Sequence, residues 1–334
     1  MVDSLRKKVN CEGGALSFCP RKRRDDVNTT PKPFVKWAGG KGNLLKTLEL
    51  QLPEDFDRQI NVTYIEPFVG GGAMLFHMIH THPNIKRAVI NDVNKDLVRC
   101  YILIKENPQY LINELGRLEK CFYALHSEEA KKEYYLATRT YFNEKCHDNI
   151  ERAANFMFLN HTCFNGLFRV NSKGHFNVPF GRYKKPNICN EDIIMADHEA
   201  LSKVDIYNAD YSKVITHLGR GYNFVYLDPP YRPLLGASNF KEYSTSGFGD
   251  KEQIDLKLFC DKLTTRGCKL MLSNSDSMSE DGTSFFEELY EGYAFGRILA
   301  PRYINAFAVK RQSQSEVLIK NYCNPVFELP IIPL

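Results

Sequence analysis

Residues 62–91 read VTYIEPFVGGGAMLFHMIHTHPNIKRAVIN, and the order of features in that stretch decides the fold. Val62–Glu66 is a short apolar run that Pro67 and the cluster Gly70, Gly71 and Gly72 bring to an end. From Ala73 to His80 the pattern is helical, and Arg87–Asn91 is a second apolar run. Downstream, Asn94–Lys105 has apolar residues at helical spacing, at 97, 98, 101, 102 and 104. Further strands are expected at Val204–Asn208, Asn223–Leu227, Lys269–Ser273 and Val317–Lys320. Strands separated by helices predict an α/β domain with a mainly parallel sheet, whose ligands bind beyond the carboxyl ends of the strands.

The interval from about 106 to 203 breaks this alternation. Residues 108–160 are helical in pattern, with aromatics at Tyr134, Tyr135, Tyr141 and Phe142. Between Asn155 and Asn187 there is no acidic residue, whereas Arg169, Lys173, Arg182, Lys184 and Lys185 are basic. Phe156, Phe158, Phe164, Phe168, Phe176, Phe180 and Tyr183 share that window. Cations that meet phosphate, interleaved with rings that wedge or stack, suit nucleic acid. A hydrophobic helix running into a solvated basic hairpin would give the same composition.

Composition sets the broader limits. The chain has 334 residues, long enough for one large domain or two unequal ones. Its 43% hydrophobic and 25% charged residues are those of a globular protein with a real core. No apolar run approaches a membrane span, and no apolar segment follows the basic N-terminus, so an intracellular protein without a secretory signal is expected. The ten cysteines include no C-x-x-C pair, which argues against a zinc site and for reduced thiols packed as small hydrophobes. Eight of the 44 Lys and Arg lie in residues 1–33 against four acids, including the run Arg21-Lys22-Arg23-Arg24, and the rest of the chain sums to zero. Local clusters, not a global basic field, must therefore carry any binding to nucleic acid.

Asp228-Pro229-Pro230-Tyr231 follows the apolar run Phe224–Leu227, at the point where a central strand should end. Two prolines cannot continue a ladder, so the turn presents a carboxylate, the Pro229 carbonyl and an aromatic face together. An exocyclic amine needs two acceptors and a flat surface, which these groups supply. The glycine turn Phe68-Val69-Gly70-Gly71-Gly72 departs from G-x-G-x-x-G, so a dinucleotide is a poor fit. Together with Asp92, placed to accept ribose hydroxyls at the end of the next strand, it suits a nucleoside cofactor lacking pyrophosphate. Gly39-Gly40-Lys41-Gly42 lacks the spacing and the Ser or Thr of a phosphate loop. Taken alone, these residues assign Trp37 to the core and Lys41 to solvent.

These segments together resemble the Dam-type DNA adenine-N6 methyltransferases, from about Pro33 to Tyr322. The resemblance is carried by Pro33-Phe34-Val35-Lys36-Trp37-Ala38-Gly39-Gly40-Lys41, by Ile65–Gly72, by Ile90-Asn91-Asp92-Val93-Asn94 and by Asp228–Tyr231. Its most specific part is Phe164-Asn165-Gly166-Leu167-Phe168-Arg169-Val170-Asn171, continuing through Phe176–Tyr183. The resemblance implies a Rossmann-like S-adenosylmethionine-dependent α/β domain with a largely helical DNA-recognition insert. On that basis 33–105 and 204–322 form the catalytic domain and 106–203 the insert, with a basic aromatic hairpin at 161–187. Residues 1–32 and 323–334 are then tails.

The resemblance also assigns roles. Trp37, Lys41, Phe68, Gly70, Gly72, Asp92, Asp210, Tyr211 and Asp228 would border the cofactor. Asp228, Pro229, Pro230 and Tyr231 would grip a flipped adenine, which N6 chemistry requires because a stacked base is inaccessible. Lys36, Phe164, Asn165, Leu167, Arg169 and Pro179 would enter the duplex or read bases, with GATC as the target. Within the basic window, Lys184 and Lys185 are candidates for DNA phosphates and Arg182 a further DNA-binding residue. The expected partner is double-stranded DNA, with no metal and no membrane; a monomer suffices, and a cognate restriction endonuclease is a candidate partner in a restriction-modification pair. The expected location is the cytoplasm, at the nucleoid. Phe168, Val170 and His175 depart from the family pattern. A protein-glutamine or RNA methyltransferase would carry Asn before Pro-Pro-Tyr. A catalytically silent DNA-binding module would not need the acids and glycines.

Overall fold

The computed structural model describes residues 29–144, 146, 148–232, 248–276, 284–300 and 314–323. The Arg21–Arg24 run and the C-terminal tail beyond 323 lie outside them. Among the described residues, seven strands form one sheet in the order β3-β2-β1-β4-β5-β7-β6. They are β1 (Val62–Glu66), β2 (Ile85–Asn91), β3 (Val204–Tyr207), β4 (Asn223–Leu227), β5 (Lys269–Ser275), β6 (Ala294–Ala300) and β7 (Gln314–Lys320). The first five in spatial order are parallel, while β7 is antiparallel to β5 and β6 to β7. The chain steps outward from β1 through β2 to β3, then returns to the other side of β1 with β4. Strand order therefore reverses between β1 and β4, which places Glu66-Pro67-Phe68 and Asp228–Tyr231 at one switch point.

β1 and β4 are buried at every position, as expected of central parallel strands covered on both faces. β5 runs two residues beyond its expected end and β7 begins three residues early. β6 is unforeseen, because Gly296 and Arg297 interrupt its apolar run.

The helices described are α1 (Leu45–Glu49), α2 (Ala73–Thr81), α3 (Lys95–Glu106), α4 (Pro108–Tyr123), α5 (Glu128–Glu144), α6 (Asn149–Thr162), α7 (Glu191–Ala200), α8 (Asp250–Thr265) and α9 (Phe285–Leu289). Contacts divide the chain into two compact units. One holds Lys41–Val69, Thr81–Val93 and Lys203–Leu334, and so contains the sheet. In it, α8 buries Leu256, Phe259, Cys260 and Leu263, at i, i+3, i+4 and i+7, in one core with Ile65, Val225, Leu227, Leu270 and Leu272.

The other unit holds Met1–Gly40, Gly70–His80 and Asn94–Ser202. Its centre is α6, in which Ala153 through Asn160 are all buried. In this division α3 groups with the later helices. Two Arg152–Asp96 bonds explain why, Nε to Oδ1 at 2.6 Å and Nη2 to Oδ2 at 2.9 Å, joining α6 to α3. Seven of the described cysteines are free thiols, five of them buried, as expected of small hydrophobes.

Candidate active site and nucleic-acid interface

In the sheet unit, the Asp228–Tyr231 turn leaves the carboxyl end of β4 and is braced by neighbouring elements. Lys41 Nζ donates to both Asp228 oxygens at 2.8 Å, and Ser273 Oγ of β5 donates to Oδ1 at 3.2 Å. The Lys41 side chain is 4% exposed and that of Asp228 20%, so the carboxylate keeps access that the ammonium lacks. This burial corrects the solvent placement of Lys41 read from the residues alone. The ammonium also lies 4.7 Å from the centroid of the Tyr231 ring. Gln253 Nε2 donates to the Pro230 carbonyl at 3.2 Å, and Ser275 Oγ to the Arg232 carbonyl at 3.0 Å.

Tyr231 donates its hydroxyl hydrogen to Glu316 Oε2 at 2.9 Å. Burial first, and then the charges of Asp228 and Glu316, push the Tyr231 pKa far above the ordinary phenol value. The hydroxyl is therefore a fixed donor and not a base. Tyr226, fully buried on β4, shares a 3.1 Å hydrogen bond with Ser273 and is likewise held protonated by burial.

The loops after β1, β2 and β3 carry the candidate cofactor residues of this unit. Buried Asn91 ties two of them together, donating to the Pro67 and Ala209 carbonyls at 3.1 and 3.0 Å and accepting from Ala209 N at 2.9 Å. Phe68 and Tyr211 are thereby held with ring centroids 5.1 Å apart. Asp92 follows β2 directly. Asp210 follows β3 and accepts from Ser212 N at 3.0 Å, capping the short 3-10 helix Tyr211–His217. Two acids beyond adjacent strands, beside a half-buried aromatic pair, fit a ligand with a ribose and a flat base.

In the helical unit, Gly70 (φ +48°) and Gly72 (φ +77°) take the left-handed backbone that glycine tolerates. A Cβ at Gly70 would stand 2.8 Å from the Trp37 ring, and one at Gly72 would meet the Tyr101 hydroxyl. That hydroxyl donates to the Gly70 carbonyl at 2.9 Å, so the glycine turn is clamped between Trp37 and α3. Trp37 stacks on Phe168 at 5.8 Å, which gives the departure at position 168 a packing role.

The segment 163–183 grows from the end of α6 as a loop with two isolated antiparallel bridges, Cys163–Phe180 and Val170–Phe176. Phe164, Asn165, Arg169, Pro179 and Arg182 are exposed on it, as are Lys184 and Lys185 just beyond it, and Leu167 is half-buried. Asn165 holds φ 55°, a left-handed conformation that Asn adopts more readily than most residues. Arg169 Nε donates to Asn177 Oδ1 at 2.8 Å, and Arg182 forms an exposed 3.3 Å pair with Glu128. The loop backbone is held from below by one stripe of α5 at i, i+4 and i+8. Tyr135 and Arg139 donate to the Val178 carbonyl at 2.7 and 3.0 Å, and Asn143 exchanges two bonds with Phe176.

Most rings of this window do not face outward. Phe156, Phe158 and Phe176 are buried core residues, whereas Phe164 is 45% exposed. The expectation of interleaved stacking rings is corrected accordingly: the basic residues stand out and most aromatics pack inward. Lys36 is exposed, its stem against Gly166 and its ammonium 4.1 Å from the Tyr183 ring centroid.

Several contributors escaped the sequence reading: Ser273, Glu316, Gln253, Asn91 and Asn160. They are polar residues inside or beside apolar elements, and the acid Glu316 immediately before Val317-Leu318-Ile319 was the one local signal. Among the described residues no group of three or more His, Cys, Asp and Glu is arranged to hold a metal ion. None of the described helices is long and apolar enough to cross a membrane.

Comparison with known proteins follows the same residues. Residues 37–303 match the family model of the D12 class N6 adenine-specific DNA methyltransferases. The chain is 43% identical over 294 residues to the type II methyltransferase M.MjaIII of Methanocaldococcus jannaschii, covering 87% of this chain and 99% of that protein. It is 37% identical over 298 residues to the type II methyltransferase M1.LlaDCHI of Lactococcus lactis, covering 88% and 96%. A DNA adenine methylase of Vibrio cholerae is 33% identical over 288 residues, covering 86% of this chain and 95% of that protein.

Proposed function

This chain belongs to the D12 class of N6 adenine-specific DNA methyltransferases, whose methyl donor is S-adenosylmethionine, and from that premise we propose that it methylates a flipped adenine within GATC in duplex DNA. The observation that carries the reading is the Asp228–Tyr231 turn at the sheet's switch point, with an accessible carboxylate braced by Lys41 and Ser273. The GATC target rests on the Phe164–Pro179 stretch and its likeness to the Dam-type pattern.

Adenine N6 is a weak nucleophile because its lone pair is delocalised into the ring. Asp228 and the Pro229 carbonyl accept its two hydrogens, which favours a pyramidal nitrogen with a directed lone pair. The Tyr231 ring supplies the flat surface that holds the base. S-adenosylmethionine, when bound, supplies an electrophilic methyl group on a sulfonium. As N6 becomes cationic, the Asp228 carboxylate stabilises the charge and accepts the released proton. Positioning and electrostatics carry the rate.

Trp37, Lys41, Phe68, Gly70, Gly72, Asp92, Asp210 and Tyr211 are the cofactor residues of this reading. Asp92→Ala is expected to weaken S-adenosylmethionine binding by about 1.5–3 kcal/mol, the range for hydrogen bonds to a charged group. Calorimetric titration measures it, and unchanged affinity removes Asp92 from the site.

Lys36, Phe164, Asn165, Leu167, Arg169 and Pro179 enter or read the duplex, and Arg182, Lys184 and Lys185 meet phosphate. Arg169→Ala is expected to cost about 1–3 kcal/mol on GATC and to relax preference at one base pair. Lys185→Ala should instead weaken all sequences alike and lower the salt slope by about one. Equal slowing of every sequence by Arg169→Ala would remove its reading role. The name type II methyltransferase, borne by two relatives, supports protection of DNA from an endonuclease of the same site. Labelled S-adenosylmethionine incubated with GATC duplexes, single-base variants and RNA tests the whole reading; label on RNA alone, or on no duplex, overturns it.

A further inference from the structure

The turn that carries Asp228 is held at three points by the adjoining antiparallel part of the sheet. Ser273 of β5 binds Asp228, Ser275 of β5 binds the Arg232 carbonyl, and Glu316 of β7 binds the Tyr231 hydroxyl. Glu316 lies directly opposite Ser275 in the β5–β7 register, so one rung of the ladder fixes both the end of the turn and the tip of the ring. A tyrosine ring anchored only at its backbone swings about two side-chain torsions. Anchored also at its hydroxyl, it presents a single plane. The same ring lies beside Lys41, whose ammonium holds both Asp228 oxygens, so the orientation of Tyr231 and the placing of the carboxylate belong to one packed cluster.

We propose that Glu316 is a positioning residue for methyl transfer: by accepting the Tyr231 hydroxyl it fixes the ring as the wall against which the adenine is held at Asp228. The proposal rests on the adenine-methyltransferase reading and extends it to a residue of β7. Glu316 touches neither base nor cofactor in this role. Its effect is therefore on the reacting step and passes entirely through the Tyr231 hydroxyl.

A double-mutant cycle read by single-turnover methylation of a GATC duplex tests it. Glu316→Ala and Tyr231→Phe are each expected to slow the step by roughly ten- to a hundredfold, the range for a hydrogen bond to a charged group. The double variant should be no slower than the slower single variant, since both changes remove one link. Glu316→Gln, whose amide oxygen still accepts the phenol hydrogen, should recover most of the rate. Calorimetric affinity for S-adenosylmethionine should stay within about twofold of the parent throughout. Tyr231→Phe removes one oxygen atom, so it decides the matter even if Glu316→Ala fails to fold. Parental rates in Tyr231→Phe, or effects that multiply in the double variant, overturn the proposal. A parent chain that methylates no duplex overturns the activity itself, a result distinct from a parent that methylates and a Glu316→Ala variant that matches it.

Discussion

Asp228→Ala is expected to lower methyl transfer by roughly a thousandfold while leaving a folded protein, because in the proposed mechanism this one carboxylate both accepts an N6 hydrogen and faces the charge that develops there. Each role alone is a recognised source of a hundredfold or more, and the two act on the same atom. Folding should survive, since the Asp228 side chain is partly exposed and the turn remains latched through Pro230, Tyr231 and Arg232. Some stability is lost, because buried Lys41 gives up an ion pair with two 2.8 Å contacts. Asp228→Asn separates the two roles: it keeps an acceptor oxygen and the shape but not the charge. Its rate should fall between those of parent and Ala variant. Initial rates on a GATC duplex, paired with thermal unfolding, provide the measurement. A folded Asp228→Ala variant within tenfold of the parent would remove Asp228 from the mechanism.

The sheet was legible because its central strands are continuous apolar runs ended by Pro and Gly, signals that survive without tertiary context. β6 was not, since an edge strand need bury only part of itself and tolerates Gly296 and Arg297. The candidate catalytic turn could be read because two consecutive prolines after an apolar run are a local event. Its supports could not. Lys41 looked like a solvated lysine until the fold brought it against a carboxylate 187 residues away. Ser273 and Glu316 became visible only once β5, β7 and β4 were placed in order. In the basic window, composition counted rings correctly but not their direction. Phe156 and Phe158 belong to a helix buried on every side, and Phe176 packs beneath the loop, which leaves Phe164 to project.

That loop depends on a buried residue whose loss should be the costliest outside the Asp228–Tyr231 turn. Asn160 accepts from Lys36 N at 2.8 Å and donates to the carbonyls of Lys36 at 2.8 Å and Gly166 at 3.0 Å. One amide thus fastens the segment carrying Lys36 and Trp37 to the turn carrying Phe164 and Asn165. Asn160→Ala leaves three backbone groups to find other partners, of which the Gly166 carbonyl is buried and the two of Lys36 partly so, and is expected to cost about 3–5 kcal/mol, the low end of roughly 1–3 kcal/mol for each group because water reaches Lys36. The isosteric Asn160→Asp should be at least as damaging, because a carboxylate cannot donate and would face two carbonyl oxygens. Urea unfolding measures both. In the surviving folded fraction, the proposed preference for GATC over its single-base variants should also fall, since the side chains proposed to read bases on both segments lose their common anchor, whereas affinity for S-adenosylmethionine should change less. An Asn160→Asp variant as stable as the parent would show that the amide's donor side contributes nothing, and Lys36 and Asn165 would then have to be held by the hydrogen bonds of the 163–183 loop alone.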